Sequence, residues 1–530
     1  MAGQGEMSEA DQAAAREQVG GRYAWYVLSV LVLVYMFNFI DRQIISILAE
    51  DIKRDLGVSD VEMGFLYGTA FAVFYALFGI PLGRLADNWV RTRLLALGLT
   101  LWSGMTALSG FATSFTGLAA ARVGVGIGEA SASPAAFSML SDWFPKEKRA
   151  TALAIYSSGL YIGGGVSLFI GAVVKQQWNE AFPGGGPMGL VGWQAAFLAV
   201  GIPGLLLALW VSTLREPVRG LADGMVTPPA TNVWGKFWED LTSVLPPLTL
   251  LHAAKYGRRA LMVNVAALLG WTLFAVLMAR VSGNTFGDKL QWGALCTGAY
   301  AVTTWAQGLR ERDPATFALI WGTPSFLFLV VGFGTTAFVG YSLGFWAAPY
   351  AIRELGATPA VAGLILGGSG AAGGFLGVVM GGRLSDWAKG RHPAGRIAVA
   401  SLAIVVPAPF VLLMFTTDSA TMFYLYNIVP AVVGSMYVGI AAATSQDLVL
   451  PRMRGAATAT YFIGTTLIGL GLGPYFTGKV SAVTGSLATG VMALFLVAPL
   501  SLFCIWQLWR RLPAAEASRV ARAQAAGEVM

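Results

Sequence analysis

Apolar runs of about twenty residues recur along the whole chain, parted by short polar loops rich in arginine, and a helix of that length crosses the hydrocarbon core of a bilayer. The first extends from about Ala24 to Ala49, and others start near Val61, Leu94, Thr116, Ala150, Gly192, Ala260, Leu290, Ser325, Val361, Ile397, Thr421, Gly455 and Ser486. Fourteen membrane-length helices are therefore predicted. Residues 1 to 22 are polar, and Glu6, Glu9, Asp11 and Glu17 outnumber Arg16 and Arg22. That pattern lacks the basic start of a cleavable signal peptide, so the first run is expected to remain in the protein.

Loop charge sets the expected orientation. Arg84, Arg91 and Arg93, then Lys146, Lys148 and Arg149, then Arg383, Lys389, Arg391 and Arg396, then Arg452 and Arg454 fall on one side, and outnumber Lys53, Arg54, Lys175, Arg353 and Lys479 on the other. Lysine and arginine collect in cytoplasmic loops. Both termini are accordingly expected in the cytoplasm, with the chain in the cell (inner) membrane.

The pattern also repeats. Gly83-Arg84-Leu85-Ala86-Asp87 follows the second run, and Gly382-Arg383-Leu384-Ser385-Asp386 recurs in a matching loop. Gly159 and Gly163, and later Gly469 and Gly473, share the small-xxx-small spacing of close helix contacts. Two related halves of six helices follow, residues 24–214 and 324–510, with a tail at 1–23, a central connection at 215–323 and a tail at 511–530. The apolar stretches 260–281 and 290–309 of the connection lie between Arg258-Arg259 and Arg310/Arg312. They read as a hairpin that leaves and regains the cytoplasmic side, or as an amphipathic pair lying in the headgroup plane.

Composition narrows the class. The chain is 56% hydrophobic and 12% charged, with a mean hydropathy of +0.64, whereas soluble domains carry about 25% charged residues. The fold class is an all-α membrane protein. A net charge of +7 does not imply nucleic acid, because the basic residues occupy short loops and not one face of a soluble domain. Cys296 and Cys504 sit far apart in apolar runs and imply no disulfide framework; His252 and His392 are too few for a histidine metal centre or a hydrolase triad. No catalytic residue, metal or cofactor is expected.

Ionisable groups inside the runs carry the candidate chemistry, since such residues face the protein interior and mark transport pathways. Asp41 and Arg42 lie in the first run, Arg122 and Glu129 in the fourth. With a rise of about 1.5 Å per residue, Asp41 falls roughly 12 Å and Arg122 roughly 9 Å below the outer surface, with Glu129 two turns deeper on the Arg122 face. Competition of the two acids for the two guanidiniums would let protonation change the pairing. The alternative is a permanent ion pair that fixes packing. Across the cavity, Phe333, Tyr341, Phe345, Trp346, Asn427 and Tyr437 are candidate lining residues facing Asn38, although such aromatics equally serve ordinary helix packing.

These residues also carry a resemblance. Asn38-Phe39-Ile40-Asp41-Arg42, the Gly83 to Asp87 loop, Trp102-Ser103 with Thr106, Arg122 through Glu129-Ala130, and Ser141-Asp142-Trp143-Phe144-Pro145 with Arg149 resemble the major facilitator superfamily, and within it the spinster-like lipid transporters. The resemblance implies a major facilitator fold of two six-helix bundles with pseudo-two-fold symmetry, here with a two-helix insertion. It implies alternating access driven by a proton gradient, with Asp41 and Glu129 for protons, Arg42 and Arg122 for the headgroup, and a cytoplasmic gate at Gly83, Asp87 and Arg91, repeated at Gly382 and Asp386. Asn88 and Val90 depart from the usual gate motif. The expected substrate is an amphipathic anion such as a sphingoid phosphate or lysophospholipid; alternatives are a small organic acid:proton symporter and a channel or receptor. Expected partners are protons, membrane lipids and the substrate, with the chain acting as a monomer and not as an enzyme.

Overall fold

The computed structural model describes residues 19–223 and 232–528, excepting the side chains of Lys146 and Ala150. Most of the expected tail at 1–23 therefore lies outside the described residues. Among those described there are helices and no strands. Fourteen long rods are present: α1 Arg22–Leu56, α2 Asp60–Asn88, α3 Arg91–Ser109, α4 (Phe115–Glu129 and Ala132–Trp143), α5 Lys146–Ala181, α6 Gly192–Ser212, α7 Arg258–Val281, α8 Phe286–Arg312, α9 Pro324–Arg353, α10 Pro359–Arg391, α11 Gly395–Met414, α12 Ala420–Asp447, α13 Pro451–Thr484 and α14 Leu487–Ala517. The tail expected at 511–530 is itself helical, since α14 runs on and Arg519–Ala525 forms a further helix.

Local sequence explains the boundaries. Helix α1 continues through the charged residues Glu50 to Arg54 and stops only at Gly57, whose φ of 64° suits glycine at a helix C-terminus. Ser59 and Glu62 then form a capping box that starts α2. Asp41 consequently sits at mid-helix, and not roughly 12 Å from the outer end as the apolar run suggested; charge ended the run but not the helix. Helix α2 breaks at Gly68, where a β-carbon would collide with the Leu470 carbonyl of α13. Helix α4 tightens at Ala130–Ser131, where Ser131 Oγ donates to the Gly128 carbonyl (2.8 Å) and Pro134 has no N–H to offer Ala130.

Helices α1–α6 and α9–α14 form two bundles. They meet along two seams, α2 against α13 and α5 against α10, with α1 touching α9. Helices α7 and α8 form an antiparallel pair between them, joined by polar contacts: Asn264 donates to Thr304 (3.1 Å) and Gln307 (2.9 Å), and Tyr300 donates to Asn264 (2.6 Å). Such interhelical hydrogen bonds contribute about 0.6–2 kcal/mol in bilayers. The outer face of α7 is apolar and open, with Met262, Leu269 and Leu273 more than half exposed. Cys296 and Cys504 are free and buried.

Candidate functional site

The bundles close together at the end that carries Asp60. Arg353 reaches from α9 to Asp60 (2.9 and 2.8 Å) and Glu50 (2.6 Å), and Ser481 of α13 donates to Asp60 (2.8 Å). One layer further in, Ser46 donates to the Phe345 carbonyl (2.6 Å), and the Tyr67 and Phe345 rings stack at 4.5 Å. Trp346 donates to the Pro474 carbonyl (2.9 Å). At the opposite end the bundles diverge around a cavity of about 1560 Å³, with Gly83, Arg84, Asp87, Arg312, Arg452 and Arg454 on its mouth and walls.

Arg42 and Asn38 stand on the cavity surface. Arg42 Nη2 donates to Glu129 Oε2 (2.6 Å) and, more weakly, to Asn38 Oδ1 (3.4 Å). Its guanidinium also lies over Phe71 (4.4 Å), Phe39 (4.6 Å) and Tyr75 (5.2 Å), contacts worth about 0.5–2 kcal/mol each. This is a buried ion pair with one edge on the cavity.

The other expected groups stand behind that wall. Glu129 is 1% exposed and does not reach the surface itself. Arg122, also 1% exposed, donates to two backbone carbonyls, Asp41 (3.1 Å) and Leu66 (3.4 Å), so it pins α1 to the break in α2 and does not grip the Asp41 carboxylate. That carboxylate is wholly buried and has no ion-pair partner among the described residues, and the donors nearest it are Trp102 and Thr106 of α3. Burying an unpaired ionised carboxylate is costly. Phe71 of α2 packs against both guanidiniums, 4.4 Å from Arg42 and 5.7 Å from Arg122, and Gly126 of α4 lies against its backbone.

On the facing bundle, Tyr341, Asn427 and Tyr437 line the cavity. Phe333, Phe345 and Trp346 do not: Phe333 stacks beneath Tyr437 (5.8 Å), and Phe345 and Trp346 belong to the closed end. A helical phase adds Tyr35 and Gln43 to the expected Asn38 and Arg42. Tyr35, Asn38, Arg42 and Gln43 share one stripe of α1 by their i, i+3, i+4 spacing, and all four line the cavity, with Tyr67 and Tyr75 of α2 beside them.

The cavity also extends into the second bundle. Val339, Ala403, Ile404, Pro407, Val411, Val491 and Leu494 line this branch. Bends leave the room: α11 is interrupted at Val406 before Pro407, and α14 has a 3₁₀ stretch at Ala493–Val497.

The gate residues divide between two tasks. Asp87 and Gly83 are on the mouth, where the charges nearest Asp87 are those of Arg219, Arg84 and Arg91. Arg91 is fully buried and holds the start of the central connection: it pairs with Asp142 and donates to Glu216 (2.7 Å), Ser138 (2.9 Å) and the Pro217 carbonyl (2.9 Å). In the second half Arg396 joins Asp447 (2.8 Å) and Asp386 (2.8 Å), the same loop-to-helix link as Arg91 to Asp142, while Gly382 faces open space. Among the described residues, no group of three or more His, Cys, Asp or Glu could hold a metal ion.

The profile of the Major Facilitator Superfamily matches residues 31–352. The chain belongs to that superfamily. It is 28% identical over 494 residues to an MFS-type efflux pump of Mycolicibacterium smegmatis, covering 92% of this chain and 93% of the pump. It is 31% identical over 202 residues to a probable galactarate/D-glucarate transporter of Bacillus subtilis, covering 37% and 41%. A bacterial homolog of the human lysosomal transporter Spinster, solved in an inward-facing, unoccupied conformation, superposes with a TM-score of 0.64 at 28% identity, covering 95% and 96%. This major facilitator protein is therefore a spinster-like, multi-pass membrane transporter and not an enzyme.

Proposed function

We propose that this transporter carries an amphipathic anion, a sphingoid phosphate or lysophospholipid, by proton-coupled alternating access. The carrying observation is a single cavity that joins the Arg42–Asn38 wall to an apolar branch inside the second bundle. A headgroup would displace Glu129 from Arg42 while the hydrocarbon tail enters the branch, where each buried methylene contributes about 0.8 kcal/mol. A proton on Glu129 frees Arg42 for the anion, and a proton on Asp41 removes the cost of its unpaired charge; the anion and the protons then cross together or in exchange. Loop charge supports assigning the open mouth to the cytoplasm, with both termini there and the chain in the cell membrane. The seal at Asp60 speaks against a channel. Each chain holds a whole cavity, which supports a monomeric unit.

The similarity to a galactarate/D-glucarate transporter favours a second reading, a small organic acid carried with protons. The cavity exceeds the roughly 300–1,000 Å³ usual for small-molecule sites. A thermal-shift panel on purified protein separates the readings. A long-chain lysolipid should raise the melting temperature more than gluconate or lactate does, and the reverse order favours the small acid. In proteoliposomes, Asp41→Asn or Glu129→Gln should abolish the pH dependence of uptake; unchanged dependence in both removes them from coupling.

A further inference from the structure

The cavity has a third wall that neither bundle supplies. Trp305, Leu309 and Arg312, from the last turns of α8, lie on its surface. They reach it because α8 is seated in the seam between α2 and α13. Val73 and Leu467 flank Gly298 from the two sides, and Gln291 accepts from Thr69 of α2 (2.6 Å) while donating to the Gly471 carbonyl of α13 (2.9 Å).

At the mouth, Arg84 and Arg312 converge on one oxygen of Asp240, at 3.1 and 3.8 Å. Asp240 comes from the helix Val233–Val244 and is 1% exposed. Both guanidiniums share that one carboxylate, with Glu239 and Lys255 also near. His252, 2% exposed with neither ring nitrogen hydrogen-bonded, stands beside the Arg312 guanidinium over Gly308. Arg84 is nine residues along α2 from Tyr75, whose ring borders Arg42, so the two basic stations are about 14 Å apart along the helix. A sugar-acid-sized molecule does not span that gap.

We propose that Arg312, presented by the central helical pair and backed by Arg84, is an outer oxyanion station that holds the anionic headgroup of an amphiphile at the mouth before it reaches Arg42. This rests on the reading of the substrate as an anionic amphiphile. On that footing the central pair chooses headgroups, and the two bundles alone do not.

The test is equilibrium binding to the full-length protein in nanodiscs, with lysophosphatidylglycerol, the zwitterionic lysophosphatidylcholine, a neutral alkyl glycoside and free D-glucarate as probes. Arg312→Ala should weaken lysophosphatidylglycerol about fivefold or more while the alkyl glycoside stays within about twofold, and Arg312→Lys should recover most of the loss. Asp240→Asn should tighten lysophosphatidylglycerol by releasing both guanidiniums. Asp240 keeps Arg84 in the Arg312→Ala protein, and an unchanged elution profile and alkyl-glycoside affinity report that it is folded. Equal losses for charged and neutral amphiphiles, or no loss, overturn the station. Equal losses for lysophosphatidylglycerol and D-glucarate assign it to free small anions and overturn the headgroup assignment. If Arg42→Ala removes lysophosphatidylglycerol binding and Arg312→Ala does not alter it, the amphiphile reading stands and the station alone falls; if the unaltered protein does not bind lysophosphatidylglycerol, both fall.

Discussion

The two bundles share a plan and fill it differently. In α1–α6 the interior holds Asp41, Arg42, Arg122 and Glu129, none more than 7% exposed, and hydrogen bonds and stacked rings occupy the space between helices. In α9–α14, among the described residues, no acidic or basic side chain is fully buried. There the helices bend at Val406, at Gly434–Met436 and through a π-helical turn at Thr465–Leu470, and the cavity enters between them. One half is built to hold charge and the other to make room. Pseudo-symmetry of backbone thus coexists with division of labour in side chains.

The largest way to break that contrast is Arg42→Ala, which strands Glu129 in a buried site. Removing one partner of a buried pair costs about 3–5 kcal/mol, so the melting temperature should fall and transport should drop more than about tenfold; adding Glu129→Gln should restore much of the stability. A melting curve unchanged by the single substitution would show that the first bundle does not depend on its interior charge. Next in size, Val411→Trp fills the apolar branch and should weaken a long-chain lysolipid about tenfold, the equivalent of about two methylenes, while leaving Arg42-dependent binding of short anions intact. Equal weakening of long and short ligands would deny the branch its role.

A smaller effect is expected at the closed end. Arg353→Ala removes the link between Asp60, Glu50 and α9 and should shift the population toward opening there about tenfold, or roughly 1.4 kcal/mol. Labelling of a cysteine introduced at Gln43 from the Asp60 side reads that shift, and an unaltered labelling rate would take Arg353 out of the seal. The smallest is a pH effect outside the bilayer. Arg452 grips Asp313 (2.7 and 3.2 Å) and holds its carboxyl down at about 2. A depressed folded-state value means stability present above the unfolded value near 3.9 and lost as pH falls toward 2. Both groups are partly exposed, so the contribution stays below about 1 kcal/mol; Arg452→Gln should flatten the dependence of melting temperature on pH in that window.

The rods were legible in the sequence because each needs about twenty apolar residues, whatever surrounds it. The four interior charges were legible for the same reason, as exceptions in apolar runs. Their arrangement was not. Spacing puts Arg122 and Glu129 on one face of α4, yet it cannot reveal that Phe71 arrives from α2 to pack against Arg122 and Arg42, because a glycine at 126 permits that approach only when another helix takes it up. Phe345 and Trp346 have the same composition as cavity residues but face the closed end, a difference of depth that a run without caps does not disclose. On α1 the sequence singled out Asn38 and Arg42, and the helical period that joins Tyr35 and Gln43 to the same stripe was equally present in it.

Gly165 of α5 and Gly367 of α10 meet backbone to backbone, and a methyl on either would strike the other's carbonyl oxygen. Two rods in such contact can pivot but hardly slide, so the crossing acts as a fulcrum. Gly367 is eight residues from the Asp60-side end of α10 and twenty-four from the other, arms of about 12 and 36 Å. A small parting at the sealed side is therefore geared up roughly threefold into closure at the mouth.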